Sequence, residues 1–579
     1  MQFAKEILHQ LEIATDSRAL AVQEEWLRRK LKCHLLGLSS LERTMARLRS
    51  RLNWLKEGDA NTSYFQHHAR YRKKKNFVAK LRAEDRMVFD QEERKEVVWN
   101  FYNNLLGTTK QRDLTLDLQA FHREPADLTE LEGAITEEEV WNTVKALPSD
   151  KAPGPDGFIG RFYKVAWHVI KVDFMAAVSR FVQGDVNRLY LLNSAYITLL
   201  PKVPDAIEVK DFRPISLIHS FAKIVTKVLA NRLAPKLPNL ISSSQSAFVK
   251  GRCIHGNFIL VQQTAKALHL QKEARVLLKL DISKAFDSVS WPFLLEVLKY
   301  LGFGPMWCNL LSKLLRTSST RVLVNGEPGD LICHQQGLRQ GDPLSPMLFI
   351  LVMDVLNSLI AKVSEVGMLQ PLLNRGNGQR LSLYADDVVL SIQSSAEELM
   401  LVREILRVFG EASNLVTNIG KSSITPIRCG DQDLDVVQQV LPCNVQQFPC
   451  KYLGMPLGVK KLTKSDLYPL IDKIADRLPG WKATLINPAS RATLVKSILT
   501  AIPIYHLIAI QCPKWVLQTI DKIIRGFLWK GRKDIRGGHY LVGWQRVCRP
   551  RELGGLGIHN LEVLGWSLNM RWLWLQKTQ

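Results

Sequence analysis

Residues 381–390 read LSLYADDVVL and place two adjacent acidic residues between two short apolar runs. Apolar runs on either side of a short polar turn are typical of a β-hairpin, and this pattern puts Asp386 and Asp387 at its tip. Another largely apolar run, residues 276–280, is followed directly by Asp281. If this second run is a strand beside the hairpin, three carboxylates meet at one edge of a sheet.

Crowded carboxylates repel one another unless a cation lies between them. Mg²⁺ prefers oxygen ligands, and two divalent ions about 3.5–4 Å apart can stabilise both the attacking and the leaving oxygen of a phosphoryl transfer. We therefore expect two Mg²⁺ ions, with Mn²⁺ as an alternative, and Asp281 and Asp386 as the principal ligands. Asp387 should have a lesser part, because neighbouring side chains on a strand point to opposite faces. An isolated Asp-Asp pair is also common in solvated turns, so this interpretation depends on the rest of the chain.

Five further blocks accompany the Tyr-Ala-Asp-Asp turn in a fixed order. They are KAPGPDGF at 151–158, DFRPISL at 211–217, DISKAFD at 281–287, GLRQGDPLSP at 337–346 and FPCKYLG at 448–454. Together they resemble the reverse transcriptase of LINE-type, non-LTR retrotransposons. NWLKEGDANT at 53–62 and GGLGI at 554–558 are similar to stretches of plant LINE polyproteins in particular. The resemblance extends from about residue 50 to near the C-terminus.

The resemblance implies an α+β, right-hand polymerase fold with fingers, a palm built on an antiparallel sheet, and a helical thumb. Alternating strands and helices from about 195 to 458 agree with fingers and palm. Apolar residues at helical spacing from Leu467 onward agree with a thumb. The expected division is a helical, basic N-terminal extension at 1–130, fingers and palm at 131–458 with a core at about 195–458, the thumb at 459–535 and a Trp-rich segment at 536–579.

The resemblance also implies a nucleotide site. Phe286 occupies the family position beneath the sugar of the incoming nucleotide, where an aromatic ring would exclude a 2′-hydroxyl and select deoxynucleotides. A plain core aromatic is the alternative for this residue. Gln340 and Gly341 belong to the loop that lies against the base and sugar, where glycine permits close backbone approach and the amide offers donors and acceptors. Tyr384 is expected in the same pocket.

Positive side chains are expected around the triphosphate. Arg213 resembles a family arginine whose planar guanidinium grips phosphate oxygens. Lys202 resembles the partner lysine, and Lys210 competes for that role. Lys421 matches a lysine held near the leaving pyrophosphate, where it could act as a general acid. The carbonyl of Ile282 could add an oxygen ligand for the metal.

The charge of the chain favours a polyanionic partner. Lys and Arg number 78 against 55 acidic residues, a formal net charge of +23. Such an excess promotes binding to a phosphate backbone, although a ribosomal or membrane-surface protein would share it. A basic run is predicted to contact template RNA, with a solvated helix face or a nuclear-localisation signal as alternatives. Its members are Arg70, Arg72, Lys73, Lys74 and Lys75.

Other features bear on location. The nine cysteines are scattered without a Cys-x-x-Cys pair, which signals neither a zinc knuckle nor a disulfide framework and implies a reducing compartment. No uninterrupted apolar run reaches about 18 residues, and no secretory leader is visible. We expect a soluble, intracellular protein of the nucleus or cytoplasm, or both, with no membrane contact. The sequence does not predict its oligomeric state.

The predicted function is RNA-directed DNA polymerase activity that extends a 3′-hydroxyl DNA primer on an RNA template with deoxynucleoside triphosphates. One alternative is a catalytically silent relic, or a host-adopted RNA-binding protein, that retains only the fold. A group II intron maturase shares the chemistry but fits the upstream and downstream blocks less well. The intact Asp281, Asp386 and Asp387 favour the polymerase. LINE polyproteins of this type usually carry an endonuclease ahead of the linker-like stretch at 53–62, so the chain is expected to be a fragment of such an element.

Overall fold

A computed structural model describes residues 2–50, 62–84, 86–109, 112–121, 125–184, 189–372, 379–478, 486–532 and 542–578. They form two compact units. One unit comprises Val78–Asp466, and the other combines Met1–Phe77 with Leu467–Gln579. Apart from Thr62, the stretch NWLKEGDANT lies outside the described residues.

The unit Val78–Asp466 contains the sheets. Its strands are β1 (Leu81–Ala83), β2 (Arg86–Val88), β3 (Ser194–Pro201), β4 (Phe212–Ile218), β5 (Arg275–Leu280), β6 (Ser319–Val324), β7 (Glu327–Cys333), β8 (Leu381–Tyr384), β9 (Asp387–Gln393), β10 (Ser423–Ile427), β11 (Asn444–Val445), β12 (Cys450–Tyr452) and β13 (Met455–Leu457). The largest sheet has the order β11-β10-β5-β9-β8, the second has the order β4-β3-β6-β7, and β1-β2 and β12-β13 are two-stranded. Within the two larger sheets, β10 with β11 and β3 with β6 pair in parallel, and the other neighbours are antiparallel.

Helices cover the five-stranded sheet and share one hydrophobic core with it. The helices of this unit are Gln91–Leu106, Glu137–Ala146, Gly160–Gln183, Leu189–Leu192, Ser220–Leu233, Leu237–Leu240, Ile254–Gln271, Ala285–Ser288, Trp291–Tyr300, Pro305–Arg316, Ser345–Glu365, Ala396–Ser413 and Asp431–Val440, with 3₁₀ turns at Leu118–Phe121, Thr129–Glu132 and Val209–Asp211. The mixture of helices and mainly antiparallel sheet agrees with the α+β prediction. The assignment of its parts as fingers and palm stays a prediction.

Helix Ser345–Glu365 is long and apolar enough to cross a membrane by length and composition alone. In this structure 56% of its apolar window is buried inside the protein. Leu348, Phe349 and Met353 lie in the core shared with the five-stranded sheet. Its apolar character is therefore explained by packing in the core that it shares with the five-stranded sheet.

The second unit is helical. Its helices are Gln2–Ser17, Val22–Ser50, Thr62–Asn76, Lys464–Ala475 (from Leu467), Pro488–Leu494, Ala501–Leu507, Lys514–Lys530, Trp544–Val547 and Leu561–Thr578, with a π-helix at Val495–Leu499 and a 3₁₀ turn at Arg551–Leu553. Leu467, Leu470, Ile471 and Ile474 are buried, which confirms the helical periodicity read from the sequence. A role for this helical region as the thumb stays a prediction.

Candidate active site

The hairpin predicted from LSLYADDVVL is present. Tyr384 pairs with Asp387, which leaves Ala385 and Asp386 as a two-residue turn between β8 and β9. Strand β5 lies on the other side of β9, and their last pair is Leu280 with Val388. Continuing that antiparallel register by one residue brings Asp281 level with Asp387. The three acidic residues therefore meet at one edge of the five-stranded sheet, as the sequence predicted.

The charge of Asp281 acts on both carboxylates of the turn. Reduced hydration raises the pKa of Asp386, the charge of Asp281 raises it further, and the charge of Arg213 opposes both. Burial also raises the pKa of Asp387, against the charge of Lys279, and Asp386 and Asp281 add to the increase. Each shift means that another negative charge here is unfavourable, so a bound cation would stabilise the ionised cluster.

The protein side chains at this edge supply only part of a metal coordination shell. Across the part of the chain that the structure describes, no group of three or more His, Cys, Asp or Glu residues is placed to hold a metal ion. Mg²⁺ is usually bound by one or two carboxylates that act together with water and substrate phosphates. Asp281 and Asp386 are exposed at the edge of the sheet and offer oxygen donors only. Their chemistry fits a hard divalent ion whose remaining ligands come from the substrate.

The backbone at Asp281 is fixed by the loop 417–422. The Asp281 carbonyl accepts the Asn418 N–H at 2.7 Å, and the Asp281 N–H donates to Ser422 Oγ at 3.1 Å. Ile282 forms an antiparallel β-bridge with Thr417. The hydrogen bonds of this bridge are made by Asp281 and Ser283, so the carbonyl of Ile282 is not used in it. Lys421 lies in this loop with an exposed side chain, and its part as a proton donor stays a prediction.

The glycine loop 337–341 packs closely against other backbone. Gly337 and Gly341 have φ of 81° and 116°, in the region that favours glycine. A Cβ on Gly341 would lie 2.8 Å from the carbonyl oxygen of Ser216, which is in β4. The Ser216 N–H donates to the Gln340 carbonyl at 2.8 Å, and Gln340 Nε2 donates to Asp287 Oδ2 at 3.5 Å. The loop thus links β4 to the segment that follows β5.

Phe286 is half-buried beside this loop. Its ring stacks on that of the fully buried Phe349, with centroids 4.3 Å apart and planes at 18°. The Phe286 carbonyl accepts the Leu338 N–H at 2.6 Å. The ring therefore contributes to the core, while its partial exposure is compatible with the predicted contact to a nucleotide sugar.

The predicted phosphate-binding cations lie on or next to β4. Arg213 is an exposed residue of that strand, and its charge lowers the pKa of Asp386. Lys202 begins the loop between β3 and β4, and its Nζ donates to the carbonyl of Lys210 at 2.8 Å. Lys210 is itself ion-paired with Glu208. The structure thus associates Arg213 with the acidic edge, and the roles of the two lysines stay predictions.

Asp287 was given no role from the sequence, although it ends the block DISKAFD. Burial raises the pKa of its carboxyl to about 7, against the charges of Lys284 and Lys202. It also accepts the hydrogen bond from Gln340 described above. The second acidic residue of the block was the signal that could have identified it.

A second feature missed from the sequence is a cleft beside Asp387. The cavity has a volume of about 470 Å³. Its lining residues are Ile254, Lys279, Tyr384, Asp387, Gln446, Lys451, Leu453 and Gly454. Tyr384, predicted at the nucleotide, thus shares a cleft with two lysines. Lys279 interrupts the apolar run of β5, and that break was the available signal.

The basic run lies in the helical unit. It occupies the C-terminal part of helix Thr62–Asn76. Arg70, Lys73, Lys74 and Lys75 are exposed, and Arg72 is partly buried. The run is thus available to solvent over most of its length, and its contact with template RNA stays a prediction.

Comparison with known proteins shows what the chain is similar to. Residues 200–457 match the family model described as reverse transcriptase (RNA-dependent DNA polymerase). The chain is 27% identical over 549 residues to the transposon TX1 uncharacterized 149 kDa protein of Xenopus laevis, covering 92% of this chain and 41% of that protein. It is 30% identical over 440 residues to a retrovirus-related Pol polyprotein from a type-1 retrotransposable element R2 of Nasonia vitripennis, covering 71% of this chain and 39% of that protein.

The chain spans about two fifths of the length of these curated relatives. Among solved structures, telomerase from Candida albicans in complex with a fragment of telomeric RNA matches with a TM-score of 0.35 and 12% identity, over 64% of each chain. The sequence matches carry the assignment. Residues 200–457 are therefore similar to reverse transcriptase domains, and the longer stretch matched by the relatives is similar to proteins of retrotransposable elements.

Proposed function

We propose that this chain is an active RNA-directed DNA polymerase that extends a DNA primer on an RNA template. The observation that carries the proposal is the meeting of Asp281, Asp386 and Asp387 at one sheet edge, within the electrostatic reach of Arg213. An ionised acidic cluster of this kind is unfavourable without a cation, and nucleotidyl transfer supplies a reason to maintain it.

Asp281 and Asp386 would hold two divalent ions, Mg²⁺ or alternatively Mn²⁺, with Asp387 and the Ile282 carbonyl in supporting positions. When bound, such ions would stabilise charge on the reacting phosphate oxygens. Arg213 would grip the triphosphate in bidentate fashion, assisted by Lys202. The loop that carries Gln340 and Gly341 would position the base and sugar.

Phe286 would select deoxynucleotides by excluding the 2′-hydroxyl, and Tyr384 would lie against the nucleotide. Lys421 would donate a proton to the departing pyrophosphate. The basic run at residues 70–75 would bind template RNA. These contacts to phosphate and sugar would position the nucleic acid without reading its sequence.

The blocks at 53–62 and 554–558 support a plant LINE element as the source of this domain. The scattered cysteines support a reducing, intracellular location, in the nucleus or cytoplasm or both. Immunolocalisation of a tagged full-length chain would test the location directly, and detection in the secreted fraction would contradict it.

The decisive experiment is primer extension with purified protein, Mg²⁺, deoxynucleotides and an RNA template. Asp281→Asn and Asp386→Asn should each reduce extension by at least about a thousandfold, since loss of a catalytic group costs this much or more. RNA binding should change less than about twofold, because it depends on distributed basic contacts. Asp330→Asn, which removes the same charge from an exposed position on β7, is the matched control and should leave extension unchanged.

Substantial extension by either variant would show that the metal site lies elsewhere. Tight RNA binding by an unmutated chain that does not extend a primer would instead favour the fold-only, RNA-binding alternative. Filter binding and extension on the same preparation distinguish these outcomes.

A further inference from the structure

An irregular segment extends the five-stranded sheet beyond β8. The Leu383 N–H donates to the Ser244 carbonyl at 2.9 Å, and the Ser246 N–H donates to the Leu383 carbonyl at 3.1 Å. Gln245 thereby forms a parallel bridge with Leu383. This bridge consequently runs along the outer edge of the hairpin that carries the acidic residues.

The side chain of Gln245 reaches the turn itself. It is fully buried, with 0% exposure. Its Oε1 accepts the N–H groups of Ala247 at 2.9 Å and Ala385 at 3.1 Å. Ala385 has φ of +56°, which is uncommon for a residue with a side chain, and it directly precedes Asp386. A buried amide that loses its acceptor is costly, so this hydrogen bond favours the observed turn over others.

Further hydrogen bonds hold Gln245 and its bridge partner Leu383 in place. The Arg252 guanidinium donates to the Gln245 carbonyl at 2.6 Å. Asn257 Nδ2 donates to the Leu383 carbonyl at 2.7 Å and to Ser382 Oγ at 3.0 Å. Both ends of the link are therefore held, and a shift of Gln245 would be transmitted to the turn.

We propose that Gln245 is a positioning residue for the polymerase reaction, which holds the turn so that Asp386 faces Asp281 in the geometry that catalysis needs. This inference rests on the proposed function. Gln245 acts through the backbone amide of Ala385 and touches no reacting atom. Displacement of a catalytic group by about 1 Å can cost about a hundredfold in rate, so the role is large enough to measure.

Two substitutions isolate the acceptor oxygen. Gln245→Met nearly preserves length and volume but removes the acceptor, whereas Gln245→Glu retains it. The Nε2 atom of Gln245 has no hydrogen-bond partner among the described residues, so neither change removes a donated bond. The matched control is Gln438→Met, which makes the same change at a glutamine whose amide donates to the Cys443 carbonyl at 2.8 Å, away from the turn.

Steady-state primer extension should show a kcat reduced about 10- to 100-fold in Gln245→Met, with the KM for dNTP and the Kd for primer–template within about twofold. Gln245→Glu should retain kcat within about fivefold only while its buried carboxyl is protonated, because an ionised carboxylate would add negative charge beside the acidic edge. Gln438→Met should leave kcat unchanged. Unaltered kcat in Gln245→Met would overturn the inference.

Hydrogen exchange in protein without substrate separates this inference from the proposed function. Peptides covering residues 381–388 should exchange about tenfold faster in Gln245→Met, because the Ala385 amide has lost its acceptor. If the unmutated chain extends no primer, the proposed function fails, and unchanged exchange at Ala385 independently overturns the positioning role. Should Gln245→Met fail to fold, Gln245→Asn replaces it, since its oxygen is one methylene short of Ala385.

Discussion

Replacing Phe286 with alanine separates two interpretations of one aromatic ring, packing in the core and exclusion of ribonucleotides. The ring is half-buried and stacks on Phe349 at 4.3 Å, so its removal should destabilise the protein under either interpretation. Phe→Ala at a fully buried position costs about 3–5 kcal/mol. For a half-buried ring we expect a loss of about 2 kcal/mol in the free energy of unfolding.

The ratio of kcat/KM for a ribonucleotide to that for the matched deoxynucleotide reports on the sugar alone. Both substrates are measured on one preparation, so the fraction of folded enzyme cancels from the ratio. If the ring blocks the 2′-hydroxyl, relief of about 1.4 kcal/mol of steric repulsion raises the ratio about tenfold. We expect at least this increase in Phe286→Ala, with a smaller fall in kcat/KM for the deoxynucleotide.

The assay is steady-state primer extension on an RNA template with matched dNTP and rNTP. Phe409→Leu provides the control, because Phe409 is buried in the same core and its replacement should lower stability without altering the ratio. An unchanged ratio in Phe286→Ala would identify Phe286 as a core residue only. The selectivity would then have to arise from another side chain.

Two other substitutions test the surroundings of the site. Folding raises the pKa of Asp287 from 3.8 to about 7, so the folded state retains the proton and the free energy of unfolding should fall as pH rises through that interval, by up to about 4 kcal/mol. The titratable or charged groups that act on or respond to it are Lys202, Lys284 and Tyr102. Asp287→Asn should flatten this dependence in chemical denaturation at about pH 5 and about pH 8, and an unaltered slope would refute the assignment. Gly341→Ala should lower the free energy of unfolding by about 1–3 kcal/mol and raise the KM for dNTP. The reason is that the alanine would have to adopt a φ of 116° and its Cβ would lie 2.8 Å from the carbonyl oxygen of Ser216. Unchanged stability and KM would contradict this expectation.

The part of the site that the sequence predicted is the part encoded locally. The two apolar runs on either side of Asp386 and Asp387 identify a hairpin, because two strands and a polar turn are encoded within about ten neighbouring residues. The apolar run before Asp281 identifies another strand in the same way. Their adjacency in one sheet was an inference from chemistry, and the pairing of β5 with β9 confirms it.

The parts that were missed depend on contacts between residues far apart in the chain. Residues 242–247 read SSSQSA and have neither strand periodicity nor apolar character, so nothing local predicts that they extend the sheet. The surroundings of Asp287 likewise depend on the distant loop 337–341, where Gln340 donates a hydrogen bond to its carboxylate. Polar residues in irregular segments acquire their roles from the surrounding fold, which sequence pattern alone does not specify.

The features of the acidic edge that lower the stability of the fold favour an active polymerase over a relic that retains only the fold. The charge of Asp281 raises the pKa of both Asp386 and Asp387, Ala385 adopts an uncommon φ, and a buried glutamine accepts a hydrogen bond from the Ala385 amide. The crowded carboxylates and the uncommon φ lower the stability of the fold. The hydrogen bond to the glutamine offsets part of that cost at the turn. A protein kept only for its fold or for RNA binding would be relieved by a neutral residue at either acidic position and would gain nothing from the strained turn. The concentration of these unfavourable features at a single sheet edge is the pattern expected when catalysis, rather than stability, determines the residues present.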